Sequence, residues 1–288
     1  MLAALKFSAL GDIASTVPYL RAMDPTPCII TSPLGKAYLQ DEFSDFIVLD
    51  KTSFKSHVDT ILEVRRRKFS DIVDFQGNKR CRLIGRTSGS RVHDAVTHFV
   101  QRSSPPPYVA DIIDRAVAQL DCKPKQLTHI IFNAGSSPRW TSKRLPVSKW
   151  CEFAAILNER FGLPIKLVGS AEERPYIQTI VDALPGDAEN LAGETGFPEL
   201  KKVIREATLT VSTDSAALHI SKSEGTPTIG LFGATALGGK MRFPWTVGIY
   251  DRVRFPDGNL PIADPEPRAY YDHIDLREGL EALEKYLP

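Results

Sequence analysis

Leu209-Thr210-Val211-Ser212-Thr213-Asp214-Ser215-Ala216-Ala217-Leu218-His219-Ile220, continued through Gly225-Thr226-Pro227-Thr228-Ile229-Gly230-Leu231-Phe232-Gly233, decides the fold. Leu209–Ser212 reads as a strand, Ala216–Glu224 as a helix, and Thr228–Phe232 as a second strand stopped at Gly233. Strand, helix and strand in so short a span form a βαβ unit, which implies a parallel sheet.

The same plan extends in both directions. His129–Phe132 reads as a strand, Val147–Phe161 as an amphipathic helix, Pro164–Val168 as a strand, and Glu172–Leu184 and Phe197–Ala207 as helices. Trp245–Arg268 is Pro-rich and aperiodic, and a last helix spans Leu276–Tyr286. Nearer the start, Leu2–Phe7 is a strand feeding a turn and a helix marked by Ile13, Val17 and Leu20. Cys28–Thr31, Phe46–Leu49 and Phe69–Phe75 read as strands, Arg80–Arg86 and Val109–Leu120 as helices, and Ser103–Pro107 as a loop. The boundary falls near Cys122-Lys123-Pro124, which predicts domains 1–124 and 125–270 followed by a closing segment 271–288.

At 288 residues with 42% hydrophobic and 25% charged, the chain can bury a core in each half. A formal net charge of +1 advertises no global field for nucleic acid. Between Lys51 and Ser103, however, twelve Lys or Arg face five Asp or Glu, a local excess that suits a solvated basic surface or an anionic ligand. Cys28, Cys81, Cys122 and Cys151 form no C-x-x-C pair and read as reduced thiols of a cytosolic protein. Lys6 and Asp12 interrupt the mildly apolar start, so no signal peptide is expected, and no apolar run approaches membrane-spanning length.

Ligands of parallel α/β sheets bind where strands end and helices begin. Four such loops stand out. In Ser8–Ile13, Gly11 permits a tight turn, and Asp12 either caps the helix or serves as a catalytic carboxylate. Ala134–Arg144 joins small hydroxyl residues to a run of cations, a composition that suits a diphosphate and also occurs in empty loops. At Ser212–His219 the helix N-terminus favours an anion; Asp214 is expected to cap it or accept from a sugar hydroxyl, and His219 lies one turn on from Ser215. In Gly169–Glu173 a carboxylate can accept from a ribose diol; Glu172 is the choice, with Glu173 as a helix-start acid. Other motifs fail. Gly233–Met241 has the wrong spacing for a P-loop, no G-x-G-x-x-G follows the first strand, His93 and His98 are not i, i+4, and no G-x-S-x-G occurs.

Together the loops resemble family 9 glycosyltransferases, the group that includes ADP-heptose:lipopolysaccharide heptosyltransferases. The resemblance rests on Ser8–Pro18, Asp71–Gly77, Asn190-Leu191-Ala192-Gly193, Asp214-Ser215-x-x-Leu218-His219, Gly225–Thr228 and Leu231-Phe232-Gly233, in family order. Ala216 stands where the family commonly has glycine, Arg139-Trp140 looks like an insertion, and the chain is short for the family. The resemblance implies an α/β GT-B architecture of two Rossmann-like domains, their parallel sheets facing a central cleft. It also implies an acceptor-binding first domain, a nucleotide-sugar-binding second domain, and a C-terminal helix packing back on the first.

The implied activity is an inverting, metal-independent transfer of a heptose or related sugar from a nucleoside diphosphate sugar, ADP-heptose, to a lipopolysaccharide-core-like acceptor. No cofactor and no metal site are expected. By carry-over Asp12 is the general base, Ser136, Ser137 and Lys143 hold the diphosphate, Glu172 the nucleoside, and Asp214, Ser215, Ala216 and His219 line the donor pocket. Ser8, Gly11, Gln76, Lys79 and Arg80 are assigned to the acceptor. The expected partners are the sugar nucleotide and an anionic lipid-linked oligosaccharide, with peripheral contact at the cytoplasmic face of an inner membrane and no nucleic acid. A sugar-nucleotide epimerase of the same fold and a non-catalytic sugar-nucleotide-binding protein stand as alternatives.

Overall fold

Strand β1 (Leu2–Leu5) and strand β9 (Leu209–Thr213) are buried along their whole length, as strands of a parallel sheet covered on both faces must be. The computed structural model describes residues 1–95, 107–119, 122, 127–238, 241, 243–261, 264 and 269–288. Its chain divides into two units, Met1–Asp121 and Cys122–Pro288.

In the first unit β1 is joined by β2 (Cys28–Thr31), β3 (Phe46–Val48), β4 (Asp71–Asp74) and β5 (Arg91–Asp94). All pairings are parallel, in the order β3-β2-β1-β4-β5. The helices are α1 (Leu10–Ala22), α2 (Pro33–Leu39), α3 (Phe54–Arg67), α4 (Lys79–Ser88) and α5 (Pro107–Gln119). α1 packs with α2 and α5, while α3 packs with α4. Val64 of α3 and Cys81 and Ile84 of α4 join Ala3, Leu5, Ile30, Ile47 and Ile72 in one core. Local chemistry starts these helices: the Ser53 hydroxyl accepts from Ser56 N–H and the Asn78 side chain from Cys81 N–H.

The second unit repeats the scheme with β6 (Ile130–Asn133), β7 (Ile165–Leu167), β8 (Ala188–Asn190), β9, β10 (Thr228–Phe232) and β11 (Thr246–Tyr250), ordered β11-β10-β9-β6-β7-β8 and parallel throughout. Its helices are α6 (Val147–Phe161), α7 (Arg174–Val181), α8 (Phe197–Glu206), α9 (Ala216–Ser223) and α10 (Leu276–Ala282), with 3-10 turns at Pro138–Lys143 and Ala171–Glu173. In both sheets the strand order reverses beside the first strand of the unit. The switch points, where ligands of such sheets bind, therefore lie between β1 and β4 and between β6 and β9.

Several elements depart from the expectations. The Trp245–Arg268 stretch, read as aperiodic, contains β11, whose Gly248 lies so close to Leu237 and Phe232 that a Cβ would fall 2.1 Å from the Leu237 side chain. The edge strands β5 and β8, and the helices α2 and α3, are absent from the sequence reading. Residues 96–106, which include His98 and most of the Ser103–Pro107 loop, lie outside the described residues.

In the closing segment, Leu276, Leu280, Leu283 and Leu287 fill the core of the second unit beside Ile229 and Ile249. A Cβ on Gly279 would meet Ile229 at 2.9 Å, so the glycine allows this close approach. Leu280→Ala is therefore expected to lower stability by about 2–5 kcal/mol, measured as the denaturant midpoint of the second unit. A change below about 0.5 kcal/mol, typical of a surface site, contradicts the packing.

Cys28, Cys81 and Cys122 are buried and Cys151 is partly exposed, all as free thiols. Burial pushes the Cys28 and Cys81 thiols up to about 12, from 9.0. Both stay protonated in the folded chain after an unfolded one has ionised, so their contribution to stability is complete below about 9 and is lost as pH rises towards 12. In native protein at pH ~8, thiolate at these positions is about a thousandfold scarcer than in an ordinary cysteine. Iodoacetamide followed by peptide mass spectrometry is expected to label Cys151 and spare Cys28 and Cys81.

Candidate functional site

The two switch points carry the candidate residues, and each is described within its own unit. At the end of β1 the backbone turns through Ser8 and Ala9, joined by a cis peptide, into α1. Gln76, just beyond β4, accepts from Phe7 N–H at 3.0 Å and Ser8 N–H at 3.1 Å through one side-chain oxygen. Two of the acceptor residues expected from sequence, Ser8 and Gln76, are thus bonded to each other. Asp12 accepts from Ala9 N–H at 3.1 Å and lies 3.9 Å from the Lys6 ammonium, yet its side chain is 61% exposed. One carboxylate therefore serves the helix start and still faces solvent. Gly11 is half-buried on the same turn, and Lys79 and Arg80 are exposed in the first turn of α4.

Lys6 and Asp74 are given no role by the sequence reading. Lys6 is buried at the tip of β1 and donates to the Phe75 carbonyl at 3.2 Å. Burial lowers its pKa, against the attraction of Asp12 and Asp74. Asp74 accepts from the N–H groups of Gln76 and Gly77 at 2.8 and 2.9 Å, while burial holds its carboxyl above the ordinary value. The available signal is a charged residue ending or directly following a buried strand, at the edge where ligands bind.

In the second unit the residues gather at the ends of β6 and β9. Asp214 is 8% exposed. It accepts from Thr235 Oγ1 at 2.7 Å, and Lys143 Nζ reaches its carbonyl at 2.8 Å and its carboxylate at 3.4 Å. His219 Nε2 lies 3.7 Å from the other carboxylate oxygen. Sequence thus named three of the four members of this cluster; Thr235, on the loop after β10, is the one it missed. Ser215 holds the N-cap position of α9, with Ala216 half-buried after it. The Ser215 hydroxyl accepts from Asn133, which also donates to Ser212 at 3.1 Å and so ties β6 to β9 across the switch point.

The loop after β6 is held from inside. Ser136 donates to the Trp140 carbonyl at 2.7 Å, and Arg144 donates to the Ser136 carbonyl at 2.8 Å and hydroxyl at 3.3 Å. The Arg144 guanidinium lies 4.5 Å over the Tyr176 ring, whose phenol burial pushes up to about 12. Ser137 is exposed, and the Lys143 ammonium sits 5.2 Å over the Trp140 ring. The Arg139-Trp140 pair thus forms part of the 3-10 turn that delivers Lys143 to Asp214.

Beyond β7, Glu173 accepts from Ser170 N–H at 2.7 Å and the Ser170 hydroxyl at 3.0 Å, closing its own turn. Glu172 beside it is exposed. The turn rests on Gly193, which has φ +76° and would bring a Cβ within 2.7 Å of Ala171 Cα. Among the described residues no three His, Cys, Asp or Glu gather in a way that could hold a metal. Chemically, the second switch point offers an ammonium, a helix N-terminus of at least two turns and a neutralised carboxylate, which together suit a diphosphate. The first offers a solvent-facing carboxylate beside a lysine.

Comparison with known proteins supplies the family and the fold. The family model described as glycosyltransferase family 9 (heptosyltransferase) matches residues 96–247, more than half of the chain. Lipopolysaccharide heptosyltransferase 3 of Escherichia coli is 39% identical over 103 residues, a stretch covering 34% of this chain and 28% of that protein. Among solved structures, a family 9 glycosyl transferase from Veillonella parvula superposes with a TM-score of 0.68 at 15% identity, covering 99% of this chain and 96% of its own. The Escherichia coli heptosyltransferase WaaC, solved with ADP-2-deoxy-2-fluoro heptose, gives 0.63 at 16% identity over 86% of this chain and 92% of its own. These likenesses show that the two parallel α/β sheets are those of the GT-B heptosyltransferase fold. With the family model aligned across more than half of its residues, the chain belongs to glycosyltransferase family 9.

Proposed function

We propose that the chain is an inverting glycosyltransferase moving a heptose from ADP-heptose to an anionic, lipopolysaccharide-core-like acceptor. The observation that carries the reading is the buried Asp214 cluster, which fixes the Lys143 ammonium beside the first turn of α9. A departing diphosphate needs positive charge where it leaves, and an ammonium with a helix N-terminus supplies it without a divalent cation. Thr235 and Lys143 satisfy the Asp214 carboxylate, which relieves the repulsion that a bare carboxylate exerts on phosphate.

Ser137 and Lys143 hold the diphosphate in this reading, and Ser136, bonded to Trp140 and Arg144, shapes the loop beneath it. Exposed Glu172 accepts from the ribose diol, while Ser215, Ala216 and His219 line the sugar end. Asp12 takes the proton from the attacking acceptor hydroxyl as the new glycosidic bond forms on the face opposite the leaving nucleoside diphosphate. Lys6, 3.9 Å away, helps hold that carboxylate in place. Ser8, Gly11, Gln76, Lys79 and Arg80 contact the acceptor, the last two through its phosphates. The solved relative carrying an ADP-heptose analogue supports the donor, and lipopolysaccharide heptosyltransferase 3 supports the acceptor class. No helix among the described residues is long and apolar enough to cross a membrane.

The test follows ADP release from ADP-heptose with and without extracted core acceptor, in the presence and absence of a chelator. Release is expected only with acceptor and independently of chelator. Asp12→Asn is expected to lower kcat by about 10²–10⁴ with ADP affinity kept, and Lys143→Ala to lower it by about 10²–10³ with weaker ADP binding. Isomerised donor without acceptor, or ADP-heptose binding with no release across a range of acceptors, overturns the proposal.

A further inference from the structure

Directly after β11, Asp251 is buried and accepts from Arg254 N–H at 2.8 Å and from His273 N–H at 2.9 Å, so one carboxylate gathers both ends of the stretch 251–273. A carboxylate withdrawn from water is tolerated only through such bonds. Within the stretch, the Arg254 guanidinium donates to the Ala269 carbonyl at 2.9 Å and lies 5.1 Å over the Tyr270 ring. The Tyr270 hydroxyl donates in turn to the Asp264 carboxylate. These contacts are polar and individual, and a search for apolar periodicity passes over them.

Asp264 reaches two other loops through its backbone. Its N–H donates to the Ala234 carbonyl at 2.9 Å, next to Thr235, and its carbonyl accepts from the Ser142 hydroxyl at 2.6 Å, next to Lys143. Thr235 and Lys143 are the two groups that bond the Asp214 carboxylate. Ser142, Tyr270 and Tyr271 are all buried. The Tyr271 hydroxyl accepts from Ala234 N–H at 3.5 Å, and a Cβ on Gly233 would fall 2.7 Å from Tyr270 Cβ, so the glycine lets both tyrosines back directly onto the Thr235 loop. A lysine side chain has much rotameric freedom to lose on meeting a ligand, and fixing the backbone beside it removes part of that loss in advance.

We propose that Asp264 is a positioning residue for Lys143: its backbone staples the Lys143 turn to the Thr235 loop, and Tyr270 and Asp251 hold the staple in place. The consequence for a ligand rests on the reading of Lys143 as the diphosphate ligand, whereas the staple itself is independent of that reading. A nucleoside monophosphate that stops short of Lys143 binds equally whether the staple is made or broken. The staple therefore acts on the preference for a nucleoside diphosphate.

The experiment pairs two readouts on Ser142→Ala and Tyr270→Phe, each of which removes one hydroxyl from the staple. The first is the rate at which acetic anhydride labels Lys143 in the unliganded full chain, followed by peptide mass spectrometry, with Lys201, 1% exposed on α8, reporting general loosening of the unit. Lys143 labelling is expected to rise about fivefold in both variants while Lys201 keeps the parent rate. Leu280→Ala, a core change outside the staple, is expected to leave the ratio of the two rates unchanged. The second readout is calorimetry, in which ADP binding is expected to weaken about fivefold and AMP binding less than about twofold. An unchanged Lys143 rate, Lys143 and Lys201 rates rising together, or equal losses of ADP and AMP affinity overturn the proposal. A faster Lys143 rate with both affinities unchanged supports the staple and counts against Lys143 as the diphosphate ligand.

Discussion

The hold of Asp214 on Lys143 is the interaction on which the account of the second unit depends. A carboxylate 8% exposed is costly unless it is bonded, and here Thr235 and Lys143 bond it while His219 lies nearby. The same contact places an ammonium next to the first turn of α9, where backbone N–H groups already favour an anion. Three loops, after β6, β9 and β10, meet in one carboxylate. In the proposed reading, its geometry sets which groups a bound diphosphate meets.

Topology explains why such loops sit together. In each unit the strand order reverses beside the first strand, so two loops leave neighbouring strands in opposite directions and open a crevice at the carboxyl edge. The sequence showed this plan wherever strands are central and buried. Cys28–Thr31, Val147–Phe161 and Thr228–Phe232 agree to the residue with β2, α6 and β10. It was hidden where burial is one-sided. The edge strand β5, Arg-Val-His-Asp at 91–94, is mostly exposed and carries no apolar run, and β11 is interrupted by Gly248. α3 fully buries only Thr60 and Val64 while Phe54, Val58 and Leu62 point outward, so the usual periodicity of a core-facing helix is blurred.

The site was legible in its loops and not in its wiring. Small hydroxyl residues, glycines and acids at strand ends drew attention to Ser8–Ile13, Ala134–Arg144, Ser212–His219 and Gly169–Glu173 from composition alone. Their partners are far away in sequence: Thr235 is 21 positions from Asp214, Asn133 is 82 from Ser215, and Gln76 is 68 from Ser8. No local pattern announces such pairs. Ser136 illustrates the difference, since a hydroxyl that composition offers to a phosphate is bonded to Trp140 and Arg144. Glu173 likewise turns back on Ser170, leaving exposed Glu172 as the acid free for a diol.

The measurement closest to the central claim is a double-mutant cycle on ADP and AMP binding by calorimetry, using Lys143→Met, Asp214→Asn and the pair. If Asp214 acts by holding Lys143 against the β-phosphate, each single change weakens ADP about tenfold or more, the double change is no worse than Lys143→Met alone, and AMP binding scarcely moves. Additive losses, or equal losses for AMP and ADP, would contradict it.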